Sequence, residues 1–145
     1  MTDTVTISCD LDTTDPVAKL GFEAWIDDKK FHDTDHVAHC QRIFIEIPDD
    51  DAEHELRLIM KNKTTEHTQV DEAGNIIADA RLKITDIAFD EVQLGHMTTE
   101  QAIYEHNFNG THALSQHKFY GEMGCNGTVS LKFTTPIYLW LLEHM

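Results

Sequence analysis

The stretch Ile43-Phe44-Ile45-Glu46-Ile47-Pro48 carries apolar side chains at every second position and stops at a proline followed by Asp49-Asp50-Asp51. A period of two is that of a β-strand with one face on a core and the other toward water. The same alternation recurs in Leu56-Arg57-Leu58-Ile59-Met60, in Val129-Ser130-Leu131-Lys132-Phe133 and in Leu20 to Ile26. Asp27-Asp28 before Lys29-Lys30 reads as a hairpin tip, and Asp71 to Asn75 as a polar turn. Asn109-Gly110 and Asn126-Gly127 read as tight turns with positive φ. Between Leu82 and Leu94 the phase changes: Leu82 and Ile84 share one parity, Ile87 and Phe89 the other. A bulge near Thr85-Asp86 restores the facing. Short strands at this spacing, with no long amphipathic helix, predict a single all-β domain over residues 1–145. Its expected form is an antiparallel β-sandwich, jelly-roll-like.

Two segments have helical character. Thr98 to Tyr104 fits one turn. Pro136 to Met145 fits either a short C-terminal helix, with Thr135 as cap and Pro136 in the first turn, or an apolar extension of the 129–133 strand.

The chain has 145 residues, 26 acidic against 11 basic, for a net charge of −15. That balance opposes nucleic acid, which is held by clustered Lys and Arg, and anionic membrane surfaces. It suits cations, neutral ligands or basic partners. The first fifteen residues hold four Asp and no Lys or Arg, so no signal peptide is expected there, and no apolar stretch is long enough to span a membrane. The three cysteines, Cys9, Cys40 and Cys125, are odd in number and widely spaced; reduced thiols are expected, with Cys40 buried.

Several side-chain groups bear on function. His32, His36 and His39, with Asp33, Asp35 and Cys40, supply every common transition-metal ligand type, but in a turn-rich segment without a paired motif. The expectation is a solvated loop; the alternative is a small metal-dependent enzyme. Acidic clusters at Asp10/Asp12/Asp15, at Asp49 to Asp51 and at Asp71 with Asp79 lack the calcium-loop pattern. No nucleophile elbow or phosphate loop is present, so a non-enzyme is expected. Tyr104, Phe108, Phe119 and Tyr120 flank a glycine-containing stretch and are the candidate ligand-binding residues, because aromatic rings stack on sugar faces. Trp25 and Phe44 fall on the outward parity, and a covering segment is expected to bury them.

Three runs together resemble a family. Leu20-Gly-Phe-Glu-Ala-Trp-Ile-Asp-Asp28, Glu53-His-Glu-Leu-Arg-Leu-Ile-Met-Lys-Asn62 and Asp79-Ala-Arg-Leu-Lys-Ile-Thr-Asp-Ile-Ala-Phe-Asp90 resemble the calcium-dependent xylan-binding carbohydrate-binding modules, over about half the chain. The resemblance implies a β-sandwich, a non-catalytic role, a glycan ligand and a calcium ion. It points to Asn62, Asp71 and Asp79 as the metal ligands. Two departures stand out: Lys63 replaces the family's Asp after Asn62, and Asp79-Ala80-Arg81-Leu82 replaces Asp-Arg-Asn-Leu. The segment Phe119 to Tyr138 resembles small uncharacterised proteins of marine tailed phages. That likeness implies a virion-associated protein that binds other chains, with self-association open.

Overall fold

Two antiparallel sheets form a sandwich in the computed structural model, which describes residues 4–15, 17–64, 68–70, 72–74, 76–107 and 113–144. The strands are β1 (Thr4–Thr13), β2 (Gly21–Ile26), β3 (Lys29–Thr34), β4 (Gln41–Pro48), β5 (Glu53–Lys61), β6 (Thr68–Val70), β7 (Ile76–Asp79), β8 (Leu82–Phe89), β9 (Val92–Gln93), β10 (Ile103–His106), β11 (Ser115–Lys118), β12 (Glu122–Met123) and β13 (Gly127–Thr134). Helix α1 (His96–Gln101) precedes β10, and α2 (Ile137–His144) follows β13. One sheet runs β12-β8-β1-β4 with β9 on β8; the other runs β11-β10-β13-β5-β2-β3; β6 and β7 form a separate pair.

The alternation decides which side chains meet. Ile43, Ile45 and Ile47 of one sheet face Leu56, Leu58, Leu131 and Phe133 of the other, and all are buried in one core. The predicted bulge is present. Ser8 pairs with Ala88 but Asp10 pairs with Thr85, so Asp86 and Ile87 together oppose Cys9. Asp86 takes the left-handed φ of 52° that absorbs the extra residue. Beyond it Ile87 and Phe89 regain the core. The tip at Asp27-Asp28 joins β2 to β3 as expected.

The C-terminal segment is a helix rather than a strand, with Ile137, Trp140 and Leu141 buried. Thr135 does not cap it. Its hydroxyl accepts from the Ala52 N–H at 3.0 Å and lies 3.1 Å from Asp50 Oδ1, pinning the β4–β5 turn to the helix entrance.

Four other expectations are corrected. Phe44 is 67% exposed, because no described segment covers the outer face of β4; Arg42 merely rests over its ring, 6.0 Å from the centroid. Trp25 is only half-buried, between Lys30 and Arg57. Cys40 is exposed, its loop being anchored through the neighbouring buried Val37 instead; it is free, as are Cys9 and Cys125. Neither Asn126 nor Gly127 takes positive φ. Gly127 serves close approach: a Cβ there would lie 2.4 Å from the Glu105 carbonyl oxygen on β10. Asn109-Gly110 lies outside the described residues.

Candidate functional site

The sandwich has two ends of different character. At one end, β5 runs into Asn62 and Lys63, β7 ends at Asp79, and Gly124 to Asn126 lead into β13. Asn62 is exposed, in left-handed backbone with φ 70°. The Lys63 side chain is 1% exposed, and its ammonium donates to Asp79 Oδ1 and to the Gly124 carbonyl, each at 2.5 Å. The Asn126 amide brackets the Lys63 backbone, accepting its N–H at 2.9 Å and donating to its carbonyl at 2.8 Å. Burying an ammonium is costly unless acceptors surround it, and the chain supplies them.

Tyr104 belongs to this end and not to a ligand platform. Register with Val129 turns it inward, and its hydroxyl accepts from the Cys125 N–H at 2.9 Å and donates to the Cys125 carbonyl. Burial pushes its phenol pKa well above the usual range. Phe119 is fully buried and meets Tyr104 edge-on at 6.3 Å. Both rings are therefore core. Tyr120 alone of the described set is open to solvent, 76% exposed beside a small hollow lined by Ile84, Thr98 and Gly121. Phe108 and Asp71 lie outside the described residues.

The opposite end holds a cleft of about 630 Å³ between the β2–β3 tip and α2. Asp27, Glu53, Glu55, Glu143, Gln101 and Lys132 contribute polar groups, and His54, Phe133, Trp140 and His144 contribute rings. Its floor is braced. His54 shares the inward parity of Leu56 and Leu58, and its ring packs 5.6 Å from Phe133. His54 Nδ1 lies 2.7 Å from Asp27 Oδ2, and Nε2 lies 2.7 Å from Asp50 Oδ1. Only the imidazolium donates to both carboxylates at once. Burial pulls the His54 pKa down, but the two carboxylates together outweigh it and the net shift is upward. The His54 bond in turn holds the Asp50 carboxyl below its usual range. Asp27 Oδ1 accepts the Glu55 N–H at 2.9 Å, which latches the hairpin tip to β5. On α2, His144 lies 4.5 Å from the Trp140 ring and donates through Nδ1 to the Trp140 carbonyl at 2.8 Å.

The sequence alone does not single out this cleft: Asp50 falls in the acidic run after Pro48, and Trp140 in the segment that fits either a helix or a strand. One signal was available: His54 continues the inward alternation of β5. The histidine cluster does not gather. His32 turns inward against Phe22 at 5.8 Å, whereas His36 and His39 are exposed. Among the described residues no three His, Cys, Asp or Glu side chains come together in a way that could hold a metal ion.

No protein-family model matches the chain, and no curated protein matches it. Two solved structures do. One is the selenomethionine form of vCBM60, from work linking two families of calcium-dependent carbohydrate-binding modules by circular permutation. Its TM-score is 0.56 at 9% identity, covering 88% of this chain and 89% of that one. The other is vCBM60 in complex with galactobiose, with TM-score 0.50 at 11% identity, covering 87% and 96%. The chain shares the fold of carbohydrate-binding modules. The phage resemblance gains no support from these comparisons.

The shared fold raises the question of calcium, and the described residues do not fit the ion. Calcium takes six to eight oxygens at about 2.3–2.6 Å. Here the Asp79 carboxylate and the Gly124 carbonyl converge on a nitrogen that belongs to the chain, and that nitrogen carries its own positive charge.

Proposed function

We propose that this protein is a non-catalytic carbohydrate-binding module that receives a neutral oligosaccharide in the cleft between the β2–β3 tip and α2. The observation that carries the reading is the composition of that cleft. Four carboxylates, an amide and an ammonium converge on a volume of about 630 Å³, within the usual range for small-ligand sites. Carboxylate oxygens accept sugar hydroxyls, and the half-buried His144 ring, backed by the buried Trp140, offers contact to the pyranose C–H face. The excess of carboxylates disfavours anionic sugars. The fold shared with carbohydrate-binding modules supports the same class.

A glycan array followed by titration calorimetry tests it. A neutral oligosaccharide is expected to be retained, and Glu53→Ala and Glu143→Ala to weaken it about tenfold or more each, one charge-assisted hydrogen bond being lost. Tyr120→Ala, remote in the fold, is expected to leave the affinity unchanged. Retention of no neutral glycan, or loss confined to Tyr120→Ala, overturns the assignment.

A second reading, a protein that binds other protein chains, draws on α2. Tyr138, Leu139 and Leu142 are all exposed there. It predicts self-association in sedimentation that Leu142→Glu abolishes.

A further inference from the structure

We infer that Lys63 is the resident cation of the Asn62–Gly124 end of the sandwich, so that the protein needs no divalent metal to hold its loops. Three separate segments meet at the ammonium: the end of β5, the end of β7 and the approach to β13. The first carries the lysine, and the other two present oxygen or amide groups. Asp79 offers a carboxylate, Gly124 a backbone carbonyl, and Asn126 fixes the Lys63 backbone from both sides. The next residue back, Cys125, is held at both its N–H and its carbonyl by Tyr104. A carboxylate and a carbonyl aimed at one point ask for positive charge there, and a lysine side chain 1% exposed supplies it.

The shared oxygens make the two occupants exclusive. Lys63 Nζ donates to both the Asp79 carboxylate and the Gly124 carbonyl, and so stands at the point on which they converge. A divalent ion could use these oxygens only after the ammonium had left, and like charges this close repel strongly in a site with little water. The surrounding charge points the same way. The aliphatic part of Arg81 passes Gly124, and its guanidinium pairs with Glu122 at 2.7 Å, so a second cation lies on this side of the loop. The net charge of −15 attracts divalent ions to the surface in general, which makes a built-in cation at this one point a local arrangement and not a consequence of composition.

The inference does not depend on any glycan, and its test uses none. The wild-type chain is melted in millimolar calcium chloride and in excess chelator. A true calcium site at hundredfold saturation would separate the midpoints by roughly 8 °C for a chain of this size. Coincident midpoints are expected. In parallel, Lys63→Ala removes the ammonium and leaves its oxygens facing a gap. Its midpoint is expected to fall and to recover partly with calcium or ethylammonium, but not with sodium chloride at equal ionic strength. A wild-type midpoint that rises with calcium overturns the inference. So does a folded Lys63→Ala protein that neither cation rescues. Where Lys63→Ala does not fold, terbium added to the wild-type chain decides, with Tyr104 as the sensitiser: absence of emission supports Lys63 as the cation, and saturable emission displaced by calcium overturns it.

Discussion

Replacing Lys63 by Met tests the energetic side of the buried pair. Methionine keeps much of the volume and removes the charge, taking the Lys63 ammonium away from the Asp79 carboxylate and the Gly124 carbonyl. Removing one member of a buried ion pair costs about 3–5 kcal/mol. The Asp79 side chain is 27% exposed, so water recovers part of its solvation and the lower end, about 3 kcal/mol, applies. For a chain of this length that is a fall in Tm of about 10 °C. Replacing both partners, Lys63→Met with Asp79→Leu, leaves no orphaned charge, and such swaps are often close to neutral. The double variant is therefore expected to be more stable than Lys63→Met alone. Urea unfolding followed by the fluorescence of Trp25 and Trp140 gives all four corners of the cycle, and the slope checks that the transition stays cooperative. A single variant within about 0.5 kcal/mol of wild type, the usual range of surface changes, would refute the reasoning, as would strict additivity.

Three further outcomes are expected. Gly127→Ala should destabilise by about 1–3 kcal/mol, because its Cβ meets the Glu105 carbonyl at 2.4 Å and His106 Cβ at 2.8 Å; an unchanged urea midpoint would show that β10 can move away. His54 has a folded pKa raised above its ordinary 6.5, so its contribution is complete below that value and is lost as pH rises through the folded pKa. Wild type should therefore lose stability from near neutral pH upward relative to His54→Gln, and parallel pH–stability curves would contradict this. Cys40 should react with an aromatic disulfide reagent at once; Cys9, buried and with its pKa pushed up to about 12, should react only on unfolding, and fast labelling of Cys9 in the native protein would contradict its placement.

The cleft illustrates how much can be read before the chain is folded. The inward parity of His54 follows from its own strand, since a period of two assigns each side chain to a face using only its neighbours. The same local rule yields β4, β5, β13, the β2–β3 tip and the bulge at Asp86, where the broken parity is itself the signal. Tyr104 was open to the same treatment: Ile103 and Glu105 face out, so Tyr104 and His106 face in. Reading it instead as one of a group of aromatics placed a core residue on the surface.

Other features are not local. Nothing in Phe44 distinguishes an outer face that is covered from one that is bare; that depends on where the rest of the chain travels. Gly127 looks like a turn glycine until β10 is laid against it. The His54 bracket draws Asp27 and Asp50 from two different turns and lies beside Thr135 and Trp140 from the last segment. Lys63 is the sharpest case. By sequence it is a lysine after a strand, which is ordinarily solvated. Alternation settles which way a strand residue points, but the cost of a buried charge depends on which oxygens surround it. Asp79 and Gly124 lie 16 and 61 residues away along the chain, and only the packed sheets bring them to its ammonium.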